Sequence, residues 1–205
     1  MFLMSLEINR LGWRQKPLIN DIWESNDDEY NFKLEEVETI EDLLPEICDH
    51  LENSNLVKFR VEGFGELPWP VDVSTDLMIV IEQISDLLKF LDTSEASTGN
   101  LDFYEQGIEK RVIFTKVGNL VNINCQPLLA INESPNVNQP AWGQNIAEDP
   151  IDKKAIKIMI SNLIITFVSI ASELCPTLTN HKCFQEWCGD KYIANALNER
   201  FLTDK

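Results

Sequence analysis

Positive charge is what this chain has least of. Its 205 residues carry 17 Lys and Arg against 34 Asp and Glu, a formal net charge of −17 with a pI near 4.4. Holding nucleic acid through its phosphates takes Lys and Arg gathered on one face. An anionic membrane surface makes the same demand. The composition therefore argues against nucleic acid and against a membrane surface as partners.

Other shortages narrow the chemistry. There are two histidines, His50 and His181, and no G-x-S-x-G nucleophile sequence accompanies either. Gly63-Phe-Gly65 has no third glycine, no Lys-Ser/Thr and no helix directly after it, so it is not a phosphate loop. The cysteine count, five, is odd and gives no disulfide framework; reduced thiols of a cytosolic protein are expected. The start, Met1 to Glu7, has no basic region and too short an apolar run for a signal peptide. The most apolar stretch, Ile156 to Ala171, is interrupted by Ser161, Asn162, Thr166 and Ser169. It falls short of the roughly 18–20 apolar residues of a membrane span, so it reads as a buried core helix.

The charge that is present is unevenly placed. Residues 1–110 hold 25 of the 34 acids and only 8 of the 17 bases, so the whole deficit lies there. The remainder is neutral, with 9 of each sign. Such asymmetry works against a fold by self-repulsion. Solubility is one explanation, and a basic protein partner is the other.

Hydrophobic content of 44% supports one domain over residues 1–205, sheet-rich over about 1–125 and helical over about 150–205. Residues 2–8 read as a strand. Residues 12–29 read as an irregular acidic loop anchored by Trp13 and Trp23. Thr39 caps a helix to about Asn53 whose apolar residues recur every three to four positions, with Pro45 inside it. Residues 56–64 alternate as a half-buried strand. Ser74 or Thr75 caps a buried helix over about 75–92. Strands follow over about 101–106, 110–117 and 120–125, with a tight turn at Val117-Gly-Asn-Leu120 and a break at Gly107. A long loop over 126–149 surrounds Trp142. Asp149-Pro150 starts a helix to about Leu174, and short helices near 181–188 and 190–202 end the chain. The pattern is α+β: an antiparallel sheet of about four to five strands packed by helices. A crossover after the 56–64 strand would instead make one pair parallel.

Three groups of residues are candidate sites. His181, Cys183 and Cys188 have an H-x-C-x4-C spacing, which is not a closed tetrahedral set; buried thiols beside Phe184 and Trp187 are the simpler reading. Asp72, Asp76, Asp102 and Glu105, with Glu109 nearby, are the carboxylates a hydrolase or a Mg²⁺ site would draw on, though helix-start acids also cap free N–H groups. The third group is a partner surface. Trp23, Glu24, Asp27, Asp28, Glu29, Tyr30, Glu35, Glu36 and Glu38, together with Asp72 and Asp76, set aromatic anchors among carboxylates, as tight interfaces do.

At Trp69-Pro-Val-Asp-Val-Ser-Thr-Asp76 and Leu101-Asp-Phe-Tyr-Glu-Gln-Gly107, within about 56–125, the chain resembles small bacterial immunity proteins of polymorphic toxin systems, including contact-dependent growth inhibition. The resemblance implies a cytoplasmic, non-enzymatic protein without cofactor or metal that binds and neutralises a basic, nuclease-like toxin domain. No contact residue carries over, because such contacts differ between pairs. An acidic chaperone or adaptor for a secreted protein and a carboxylate-dependent hydrolase are the alternative readings.

Overall fold

Thr39 and Asp42 start the first helix of the computed structural model, which describes residues 1–9, 32–65, 68–94, 97–104, 108–128 and 146–198. The Asp42 carboxylate accepts from the backbone N–H of Thr39 at 2.9 Å, the N–H of Glu38 at 3.1 Å and the Thr39 hydroxyl at 3.0 Å. These are donors that a helix start otherwise leaves bare. Helix α1 runs Ile40–Ser54 and turns Leu43, Leu44, Ile47, Cys48 and Leu51 inward. Pro45 removes only the bond to the Glu41 carbonyl, and the helix continues through it. Asn55 closes it in the left-handed conformation (φ 53°).

Strands β1 (Leu3–Ile8) and β2 (Val57–Glu62) pair antiparallel on either side of α1 in sequence, with Leu3 opposite Glu62 and Ile8 opposite Val57. Met4, Leu6, Phe59 and Val61 are their buried residues. The parallel crossover considered for the 56–64 strand does not form. Gly63, Phe64 and Gly65 all have positive φ (135°, 57° and 82°), and this turn takes the chain out of the β1–β2 pair.

The second helix begins differently from its sequence reading. Its cap is Asp72, not Ser74 or Thr75: the carboxylate accepts from the Thr75 N–H at 2.8 Å, the Asp76 N–H at 3.2 Å and the Thr75 hydroxyl at 2.7 Å. A wide π-helical turn, Val73–Leu77, leads into α2, Met78–Asp92. Ile81, Leu88 and most of the remaining apolar residues of α2 are buried.

Strands β3 (Thr98–Phe103), β4 (Lys110–Val117) and β5 (Leu120–Pro127) form an antiparallel meander, and the short β6 (Ile146–Ala147) and β7 (Ile151–Asp152) both pair with the far side of β5. Gly118 (φ 64°) makes the β4–β5 turn at the expected place. Alternation sends Leu101, Phe103, Val112, Phe114, Val121 and Ile123 inward. With the β1–β2 pair, this is an α+β fold of antiparallel sheets and helices, as the sequence pattern implies.

Helix α3 spans Lys153–Leu174, later than Asp149-Pro150 would start it. Ile151 and Asp152 first pair with Val121 and Leu120, and Asp152 then caps the helix by accepting from the Lys154 N–H at 2.8 Å. By length and composition alone α3 is apolar enough to cross a membrane. Its Ile156, Ile160, Leu163, Ile164, Phe167 and Ile170 belong to the core, while Lys154, Asn162, Ser169 and Glu173 face outward, the division of a core helix. Helices α4 (Pro176–Thr179), α5 (Lys182–Cys188) and α6 (Lys191–Asn198) complete the described C-terminal part, and one continuous apolar cluster joins all of it to both sheets.

At Gly99, β3 comes close against Phe90 of α2. A Cβ there would lie 2.7 Å from Phe90 Cγ and 2.9 Å from Cδ1, too near for any real side chain. Phe90 is buried, and the Lys116 ammonium stands 4.5 Å from its ring centre. Gly99→Ala is therefore expected to cost about 1–3 kcal/mol in urea denaturation, the overpacking range. No measurable loss would mean that Phe90 is free to move aside.

Candidate functional site

Carboxylates meet in two pairs, Glu41 of α1 with Glu82 of α2, and Glu46 with Asp49 along α1. Glu41, Asp49 and Glu82 are exposed and Glu46 is half-buried, and none makes an ion pair among the described residues. Their protonation reflects the crowding. Partial burial pushes Glu82 above the usual carboxylate range, and the charge of Glu41 adds to it. Partial burial also raises Glu46, with Asp49 adding and His50 opposing. The folded state thus binds these two protons more tightly than the unfolded chain does. Their contribution to stability falls as pH rises through the carboxylate range, and at neutral pH they work against the fold.

The acids singled out from the sequence divide into several groups. Trp23, Glu24, Asp27, Asp28, Glu29 and Tyr30 lie outside the described residues, as do Trp13, Glu105, Gly107 and Trp142. Glu35, Glu36 and Glu38 are exposed on and beside the 3-10 turn Leu34–Glu36 just before α1, where Glu36 pairs with Lys33 at 2.7 Å. Asp72 is exposed, but its carboxylate is engaged as the cap of α2. Burial opposes its ionisation, yet the Thr75 hydroxyl and the N–H groups of Thr75 and Asp76 hold it below the usual range. Asp76 cannot belong to a docking surface: it is 1% exposed, and its carboxylate accepts from the Asp72 N–H at 3.0 Å. A residue one turn into a helix whose start is packed on α1 has no route to solvent. Glu52 plays a related part, accepting from the Val73 N–H at 2.8 Å and so tying α1 to the π-helical turn.

Asp102 heads a separate polar cluster. It is 3% exposed and takes a two-pronged ion pair from Arg111 on the neighbouring strand, at 2.6 and 2.7 Å. The Tyr104 hydroxyl donates to it at 3.1 Å. Burial raises its pKa, but the Arg111 guanidinium and Tyr104 outweigh this and hold the carboxyl below its usual range. Sequence reading named Asp102 without Arg111, whose position opposite it follows only from the strand register. Asp76 and Asp102 do not meet. Asp102 lies beside Gln83, seven residues along α2 from Asp76, which is about 10 Å of helix.

His181 is a helix cap: its Nδ1 accepts from the Cys183 N–H at 3.3 Å, which accounts for the H-x-C spacing. Among the described residues, no three His, Cys, Asp or Glu side chains gather as a metal site. All five cysteines are free thiols. Burial pushes Cys48 up, and Cys188 up to about 11, so neither is a thiolate at neutral pH.

No protein-family model matches this chain, and neither a curated protein nor a solved structure matches it.

Proposed function

We propose that the chain is a non-catalytic cytoplasmic binding protein that covers a basic protein domain, in the manner of a toxin-neutralising immunity protein. The observation that carries this reading is Glu41 beside Glu82 across α1 and α2, two exposed carboxylates that make no ion pair among the described residues. Self-repulsion on that face costs stability, so its use lies outside the fold. A cationic domain placed there relieves the repulsion and is drawn in by the field. The resemblance of the 69–76 and 101–107 segments to immunity proteins supports the toxin as that domain.

The test starts from the protein that co-purifies with the chain from its host, with rates followed by surface plasmon resonance. Association is expected to slow by about tenfold or more between low and high salt, while dissociation changes less. Glu41→Lys with Glu82→Lys is expected to slow association by about tenfold at low salt and to leave the thermal midpoint unlowered. An acidic partner, or an on-rate indifferent to salt, would sink the proposal.

A further inference from the structure

We propose that Met159 is a peroxide-sensitive latch: its thioether holds the outer edge of β1 to α3, and oxidation to the sulfoxide releases that edge. The proposal is independent of the reading of a basic partner.

The Asn9 N–H donates to the Leu56 carbonyl at 2.7 Å, and with the strand register this fixes the alternation along β1. Leu3, Ser5 and Glu7 turn their peptide groups to β2, so Met4, Leu6 and Ile8 turn theirs away from it. Val61, opposite Met4, follows the same alternation: its carbonyl accepts from the Trp69 N–H, outside the β1–β2 pair. Helix α3 packs on β1, and there the Met4 N–H donates to the Met159 sulfur at 3.2 Å. Met4 is 1% exposed, so its edge N–H has little access to water and depends on this acceptor. A leucine at 159 would fill a similar space and leave the donor bare. The sulfur is what a hydrocarbon side chain could not supply.

Met159 is half-buried, packed against the apolar cluster yet keeping part of its surface in water. The oxidant is a hydroperoxide. A sulfur lone pair attacks one peroxide oxygen, and the S–O bond forms as the O–O bond breaks. The departing hydroxide leaves with the proton of the transferred oxygen, as water. Sulfur loses two electrons and the peroxide gains them. One lone pair is engaged by the Met4 N–H, so the oxygen goes to the other and stands away from that donor. The sulfur then carries positive charge and no longer accepts, and a polar S–O group is set against the apolar cluster. Two thiols reverse the step: they become a disulfide, and the oxygen leaves as water. The protein's own cysteines are poorer targets. Four are buried, and burial pushes the Cys188 thiol up to about 11.

The test is hydrogen peroxide added to the full chain, with oxidised residues located by mass spectrometry and amide exchange followed by NMR. Met1, 81% exposed, and Met159 are expected to be oxidised while Met4 stays reduced. Exchange of the Met4 amide hydrogen is expected to quicken by about tenfold or more, while amides of the central strand β4 such as Val112 stay slow. A methionine sulfoxide reductase with dithiothreitol is expected to restore the slow exchange. Met159→Leu is expected to exchange fast at Met4 from the outset and to show no response there to peroxide. Met159 left reduced where Met1 is fully oxidised would overturn the proposal. So would an oxidised Met159 with the Met4 amide unchanged, or an equal quickening at Val112, which would mean that the whole fold is weakened. A response that persists in Met159→Leu would assign it to Met78 or to a cysteine and overturn the latch. The measurements on the unsubstituted chain decide the matter even where the variant does not fold.

Discussion

Arg111→Met is expected to destabilise the protein by about 3–5 kcal/mol at pH 7, the range for removing one partner of a buried ion pair. Asp102 is 3% exposed and its two carboxylate oxygens are held by the guanidinium at 2.6 and 2.7 Å. Methionine keeps much of the arginine's apolar stem and removes the charge, so the carboxylate stays buried with only the Tyr104 hydroxyl and its neighbours to solvate it. The pH dependence separates this cause from a packing defect. In the native protein the carboxyl is held below its ordinary value, so its contribution to stability is present above about pH 4 and is lost as pH falls through the lower folded value. In the variant, burial is opposed only by the Tyr104 and Asn100 side chains, so the pKa rises from its native value. The penalty then shrinks as pH falls and the carboxyl takes a proton. Urea titrations at pH 7 and pH 5 read both effects. A loss under about 1 kcal/mol at pH 7, or the same loss at both pH values, would show that Arg111 does not neutralise Asp102. Asp102→Asn is expected to cost less, because the Arg111 side chain is 32% exposed and retains water.

The elements were legible in the sequence where one local signal governed them. Thr39 with Asp42 opens α1, alternation marks β2, and Gly118 makes the β4–β5 turn, each from side chains within four residues of one another. The misreadings arose where a contact distant in sequence took over. Asp149-Pro150 is a good helix start, but Ile151 and Asp152 bond to β5 first and defer α3 to Lys153. Ser74 and Thr75 are good caps by type, but Asp72 takes the Thr75 and Asp76 N–H groups first and opens a π-helical turn that Glu52 on α1 braces. The site followed the same division. The apolar face of α1 is legible in its spacing, while the approach of Glu82 on α2 to Glu41 needs the two helices packed together. Asp76 reads as a surface acid because a helix-start carboxylate usually faces water; here the turn that carries it packs on α1 and leaves it buried. Gln83 gave no signal at all, since nothing in a sequence says that a side-chain amide will fill a strand edge nineteen residues away.

Phe103→Ala is expected to cost about 3–5 kcal/mol, the usual range for emptying a phenylalanine site in a core. Phe103 is fully buried on β3, and its ring meets Trp69 edge-on, with centres 5.3 Å apart and planes at 68°. Trp69 in turn donates its backbone N–H to the Val61 carbonyl at 2.8 Å and stacks near Phe64, 6.0 Å away. Through this pair the five-stranded sheet is fastened to the β1–β2 pair, as it is by Phe114 against Phe2 at 6.0 Å. The loss should therefore be shared rather than local. In a double-mutant cycle, Trp69→Ala and Phe103→Ala are expected to couple by about 0.5–1.5 kcal/mol, beyond what each loses in burial. Both single variants are also expected to unfold in one transition, seen alike by circular dichroism and by tryptophan fluorescence, because the apolar cluster is continuous across the sheets. Strict additivity, with two separated transitions in the Phe103→Ala variant, would mean that the β1–β2 pair and the larger sheet fold as independent units.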